Sequence, residues 1–155
     1  SQVSLGLMYE NGDGVEKNVG KALEWFTKAA DQGDAAGQHY LATLYDWGYH
    51  EIHDDTKAFY WYEKAAKQDH ADAQNDLASA YYYGLGTKQD YEKAFKYFLK
   101  SAGKECMEAQ NNVAEMYRDG EGTKKNRDQA IKYFTKSAEQ GFNRAKKSLN
   151  KLLKS

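Results

Sequence analysis

The chain has no proline, one cysteine and no long apolar run among its 155 residues, and each lack removes a class of structure. Without proline, backbone hydrogen bonding can run uninterrupted, so long stretches are free to be helical. A lone thiol, Cys106, cannot close an intramolecular disulfide, and the fold must rest on packing. No stretch of about 18 apolar residues exists, which excludes a helical membrane span, and no basic-then-apolar leader precedes Ser1. G-x-S-x-G, paired C-x-x-C and H-E-x-x-H are all missing, so catalysis has no motif to stand on and no cofactor is expected. The regular glycines carry no Gly-Lys-Ser/Thr, which argues against a phosphate cradle.

What the chain has in abundance is repetition. Gln2, Gln38, Gln74, Gln110 and then Lys146 stand 36 residues apart, and their surroundings repeat without an insertion. The units are 1–36, 37–72, 73–108 and 109–144, followed by 145–155. A helical wheel set on Leu77 gathers Ala73, Gln74, Ala80 and Tyr81 on one face. The same columns hold Leu5, Met8 and Tyr9, then Leu41, Leu44 and Tyr45, then Val113, Met116 and Tyr117. Beside them runs a small column, Gly6, Ala42, Ala78 and Ala114, that permits close helix approach. This is helix A.

Gly12, Gly48, Gly84 and Gly120 end helix A, each followed two residues on by Gly14, His50, Gly86 or Gly122, a spacing suited to left-handed backbone that only His50 breaks. Asn18, Asp54, Asp90 and Asn126 then stand as N-caps of helix B. Helix B carries Ala22, Leu23, Trp25, Phe26, Ala29 and Ala30, a set that returns in each later repeat. A single helix pair cannot cover both of its apolar sides, so stability is collective. The chain opens without Met at a position that is mid-helix in the other repeats, which points to a fragment of a longer protein. Compartment stays open.

The pattern A-Q-x-x-L-A/G-x-x-Y-x-x-G-x-G, then K-A-x-x-W/Y-F/Y-x-K-A/S-A, resembles the Sel-1-like repeat, a cousin of the tetratricopeptide repeat, over essentially the whole chain. The expected fold is all-α: a right-handed α/α superhelical solenoid of four 36-residue helix pairs, one domain over 1–155. A C-terminal capping helix, 145–155, keeps Ala145, Leu149, Leu152 and Leu153 in the core columns and turns its lysines outward. The resemblance implies a scaffold for another protein or a peptide, not an enzyme. A cysteine-rich bacterial branch, to which penicillin binding is ascribed, has a cysteine pair in each repeat, and those pairs are missing here. A β-lactam-binding or hydrolase activity and a purely structural spacer are the alternatives.

Charge is uneven: residues 1–72 hold 13 acids and 6 bases, residues 73–155 hold 10 acids and 16 bases. Such separation allows weak head-to-tail self-association. The bases are mostly lysines spread over helix faces, which does not make a nucleic-acid surface. Opposite the core stripe of helix A the residues vary, and in tetratricopeptide-like solenoids this face lines the concave groove. The resemblance therefore makes His39, Tyr40, Thr43, Trp47, Asn75, Asp76, Ser79, Tyr82, Tyr83, Asn111, Asn112 and Glu115 the candidate peptide-binding residues. Asn75 and Asn111 are expected to act as polar rungs gripping a peptide backbone, with the aromatics as apolar contacts and Asp76 and Glu115 as charge filters. His50, Glu51, His53 and Asp55 gather possible metal ligands in one loop without matching a strong motif, so the default there is a solvated loop and no metal. Cys106 and His70 share one repeat position 36 residues apart, too far for a nucleophile and its base.

Overall fold

A computed structural model describes residues 1–48 and 51–155. Among them lie α1 (Gln2–Asn11), α2 (Val19–Asp31), α3 (Ala35–Trp47), α4 (Asp55–Lys67), α5 (Ala71–Tyr83), α6 (Tyr91–Ala102), α7 (Met107–Asp119), α8 (Arg127–Glu139) and α9 (Asn143–Leu153), and no strand. Two compact units divide the chain, residues 1–73 with α1 to α4 and residues 74–155 with most of α5 and α6 to α9. In the first, α1 packs on α2, α2 on α3 and α3 on α4; in the second, α6 packs on α7, α7 on α8 and α8 on α9. Odd-numbered helices from α1 to α7 are the A helices, and even-numbered ones the B helices.

Each B helix begins the same way. The side chains of Asn18, Asp54, Asp90 and Asn126 accept from the backbone N–H three residues on, at 2.9, 3.0, 3.0 and 3.1 Å. The same four residues donate their own N–H to the carbonyls of Tyr9, Tyr45, Tyr81 and Tyr117, which ties the A–B loop back to the end of helix A. Gly12 and Gly120 leave helix A at φ 82° and 75°, each N–H returning to the carbonyl of Met8 or Met116. Gly48 does not follow: at φ −65°, ψ 162° it is extended, so the second A helix ends without the left-handed turn its spacing suggested.

The core follows the columns. Ala22, Phe26, Ala30, Leu41 and Leu44 form one buried cluster, and Ala114, Ala130, Phe134 and Ala145 another. Burial of each large side chain contributes roughly 1.5–3 kcal/mol. Gly6, Ala42, Ala78 and Ala114 are all buried, and a Cβ on Gly6 would stand 2.4 Å from the Phe26 ring. Trp25, Trp61, Tyr97 and Tyr133 are half-buried, each under a lysine three residues on, with Nζ 4.6 to 5.6 Å from the ring centre.

Two core assignments are corrected. Leu5 and Met8 are exposed, at 37% and 36%, whereas Leu41, Leu44, Val113 and Met116 in the same columns are buried. Leu153 is 56% exposed, while Ala145, Leu149 and Leu152 carry the packing of α9 on α8.

A polar seam runs beside the apolar one. Gln38 and Gln110 are buried, and their side-chain oxygens accept from Gln68 and Gln140 at 2.9 and 2.8 Å. Their side-chain nitrogens reach the carbonyls of Ala30 and Ala102 in the last turn of the preceding B helix. The glutamine that marks the repeat is thus a bridge between one helix pair and the next, with both ends of its amide satisfied.

Candidate functional site

Neighbouring A helices leave a cleft between their C-terminal halves, and the cleft recurs. In residues 1–73, Glu10 and Asn11 of α1 face Thr43, Leu44 and Trp47 of α3 across about 520 Å³, with Lys17 at the edge. In residues 74–155, Ser79, Tyr82 and Tyr83 of α5 face Asn112, Glu115, Met116, Arg118 and Asp119 of α7 across about 250 Å³, with Phe98 and the Arg144 side chain of α9 completing the lining. Tyr82, Tyr83, Glu115, Met116 and Asp119 stand 72 residues after Glu10, Asn11, Thr43, Leu44 and Trp47. One place in the repeat, occupied by different side chains, is hollow in both units.

The lining of the second cleft is held by charge. Arg118 makes two bonds to Asp119, at 2.8 and 2.6 Å, and Arg144 Nη2 lies 3.0 and 3.1 Å from the two oxygens of Glu115. The Arg118 guanidinium holds the Asp119 carboxyl below the usual carboxylate range, and Asp119 in turn raises Arg118. The Tyr82 hydroxyl donates to Glu121 at 2.5 Å; burial and that bond push its pKa well above the ordinary phenol value. Its ring meets Tyr83 edge-on at 4.9 Å. In the first cleft burial raises Glu10, with Lys17 opposing. Trp47 is 83% and Tyr83 66% exposed, large aromatic surface left uncovered on the rims.

Of the twelve candidate residues, Thr43, Trp47, Ser79, Tyr82, Tyr83, Asn112 and Glu115 line these clefts. The others do not. Asn75 and Asn111 are 5% and 1% exposed, so the expectation that they stand open as rungs is corrected. The next A helix lies against Asn75, where Asn112 Nδ2 donates to Asn75 Oδ1 at 3.4 Å. Asn111 Oδ1 is buried and has no hydrogen-bond partner. Tyr40 stacks on Phe26 at 5.4 Å and belongs to the core cluster, His39 packs its ring against Tyr40, Tyr62 and His70, and Asp76 is half-buried outside both clefts. Glu10 and Arg118, which share the outward column of Tyr82, line the clefts as well, while Asn11, Lys17, Asp119 and Arg144 were missed; the exact 72-residue correspondence between the clefts is the signal that points to Asn11 and Asp119.

His50 lies outside the described residues. Of its loop partners, His53 already uses both ring nitrogens, with Nδ1 2.9 Å from the Asp46 carbonyl and Nε2 3.2 Å from Asp55. Among the described residues no three His, Cys, Asp or Glu side chains gather to hold a metal ion. His70 Nδ1 accepts from the Ala73 N–H at the start of α5, while Cys106 starts α7 without a side-chain capping bond. No helix among the described residues is long and apolar enough to cross a membrane.

The Sel1 repeat family model matches residues 1–34, 35–70, 71–104 and 108–142. The chain belongs to the Sel1 repeat family. The Sel1 repeats are similar in structure to c5321, a protective antigen present in uropathogenic Escherichia coli strains with an SLR fold: TM-score 0.92 and 39% identity over 97% of this chain and 32% of that one. They are also similar to a Sel1 repeat protein from Oxalobacter formigenes, with TM-score 0.89 and 34% identity over 96% of this chain and 59% of that one. A putative sel1-like repeat-containing protein, L21, of Acanthamoeba polyphaga mimivirus is 44% identical over 45 residues, 29% of this chain and 8% of that protein. The chain thus spans only a small part of the curated relatives it matches. The fold is the helix-pair repeat of this family, generally a protein-interaction scaffold.

Proposed function

We propose that these Sel1 repeats form a non-catalytic scaffold, and that each of the two clefts, α1–α3 and α5–α7, takes an extended segment of another protein on its A helices. The observation that carries the reading is the recurrence of the hollow. Core columns repeat with the same residue types because packing demands it, whereas the cleft column reads Glu10 and Tyr82 on one wall and Thr43 and Glu115 on the other. Variation of side chain at a constant hollow is what a recognition surface requires and what packing does not. An extended chain advances about 3.3–3.6 Å per residue, so neighbouring helices spaced roughly 8–10 Å apart meet every third residue of such a segment. Trp47 and Tyr83 supply exposed aromatic area of the kind that dominates recognition energetics.

The test is selection of displayed random peptides on the full chain, followed by titration of the selected peptides against Trp47→Ala, Tyr83→Ala and the double variant. Both side chains are largely solvent-exposed, so helicity and melting temperature are expected to hold. Loss of affinity on the order of ten-fold or more in the double variant is expected, from the usual weight of hot-spot aromatics. Unchanged affinity for every selected peptide would move the contact to the B helices or the loops.

A further inference from the structure

We infer that the cleft between α5 and α7 takes a basic side chain, Arg or Lys, of the bound segment, and that Arg144 occupies this place in the free protein. The inference rests on the reading of the clefts as the polypeptide-binding groove. Its first support is a segregation of charge by helix class. The A helices α1, α3, α5 and α7 carry seven acids against one base, Arg118, while the B helices α2, α4, α6 and α8 carry seven acids against eleven bases. In the α5–α7 cleft the A helices themselves supply Glu115 and Asp119 against Arg118 alone, and the second base of the lining, Arg144, comes from α9, so an acid of the A helices is there for an incoming cation to pair with.

The cleft itself supplies the second support. The Glu115 side chain is 22% exposed and fixed in the wall, whereas the Arg144 side chain that sits on it is 63% exposed. The carboxylate is thus part of the cleft and the guanidinium a visitor from solvent, arriving from α9 as a partner's side chain would. Competing groups are already engaged: the Tyr82 hydroxyl bonds Glu121, and Arg118 and Asp119 neutralise each other through two bonds. Once Arg144 swings away, Glu115 is the acid that an incoming cation meets. Tyr83 stands on the same rim with an exposed ring, the surface on which a cation is stabilised as it leaves water.

The experiment uses three labelled peptides of about twelve residues, roughly 40 Å when extended, identical except that every third residue is Arg, Gln or Glu. Fluorescence anisotropy is read against the full chain at low and moderate salt. The Arg peptide is expected to bind, with the Gln and Glu peptides on the order of ten-fold weaker or worse. Arg144→Ala is expected to tighten the Arg peptide about two- to five-fold, the worth of displacing one exposed ion pair, and Glu115→Gln to weaken it on the order of ten-fold. Melting temperature and helicity of each variant are the folding controls, and Glu115→Asp, which keeps the charge, is expected to restore part of the affinity. Tighter binding of the Glu or Gln peptide, abolished by Tyr83→Ala, overturns the charge assignment and leaves the groove standing. Weakening of the Arg peptide by Arg144→Ala overturns the surrogate role. Arg-peptide binding indifferent to both Glu115→Gln and Tyr83→Ala removes the cleft altogether, and failure of all three peptides overturns the basic assignment, while peptides selected from the random library still judge the groove.

Discussion

Ser148 stands 37 residues after Asn111, as Asn112 stands 37 after Asn75. Asn112 donates its amide to Asn75 Oδ1 at 3.4 Å, whereas Asn111 Oδ1, in the equivalent place, is buried without a partner. Serine carries a hydroxyl on a one-carbon stem and falls short of the reach of a carboxamide. By the same 37-residue relation, Ser148→Asn is expected to bring an amide donor to the orphaned acceptor. A buried unsatisfied acceptor costs about 1–3 kcal/mol, and a new hydrogen bond contributes a net 0.5–1.5 kcal/mol or so. The helix propensities of Ser and Asn are nearly equal, so propensity cancels. The 3.4 Å geometry of the Asn112–Asn75 precedent places the expected gain at about 1 kcal/mol, or about 2–4 °C in Tm for a chain of this size. Urea unfolding followed by far-UV circular dichroism should show a higher midpoint at constant slope. The control is the same substitution in an Asn111→Leu background, where the acceptor is gone and the gain should vanish. A gain of equal size in both backgrounds refutes the reasoning.

Tyr81→Ala removes a ring that is 8% exposed and stacked on Tyr97, and should cost about 3–5 kcal/mol in the same assay, while Ser79→Ala should stay within about 0.5 kcal/mol. Gly6→Ala forces a methyl into the fully buried Phe26 ring and should destabilise by about 1–3 kcal/mol, although Ala is intrinsically the better helix former. The Asp119 carboxyl, held down by Arg118, should titrate below its usual 3.8 in an NMR experiment, and Arg118→Ala should return it toward that value. Since the folded pKa is the lower one, any stability from this pair is present above the unfolded pKa and lost as pH falls through the folded one.

The repeat made the local features of the fold legible. Asn18, Asp54, Asp90 and Asn126 could be read as caps because the donor they serve is three residues away, and Phe26, Tyr62, Phe98 and Phe134 as core because one helix carries the whole periodicity. What required a relation between repeats was not legible. A wheel drawn for one helix places Asn75 and Asn111 opposite the core stripe and leaves them in solvent, but both are buried, and Asn112 of α7 lies against Asn75. Gln38 and Gln110 sit among apolar residues on the same wheel, and their partners Gln68 and Gln140 are 30 residues on. The contact of Arg144 with Glu115 likewise spans 29 residues and the whole of α8, which no pattern within one helix shows. Leu5 and Met8 show the reverse case, core residues by pattern that are exposed.

The central claim is that the A helices, at the hollow between neighbours, are where a partner lies. Photo-crosslinking from benzoylphenylalanine placed singly at Tyr83, Trp47 and, as the opposite face, Tyr60 of α4 tests it most directly, since all three are exposed in the free chain. With a selected peptide bound, the account predicts crosslinks from position 83, from position 47 or from both, and only background from position 60. Dominant crosslinking from position 60, with 83 and 47 silent, would contradict it.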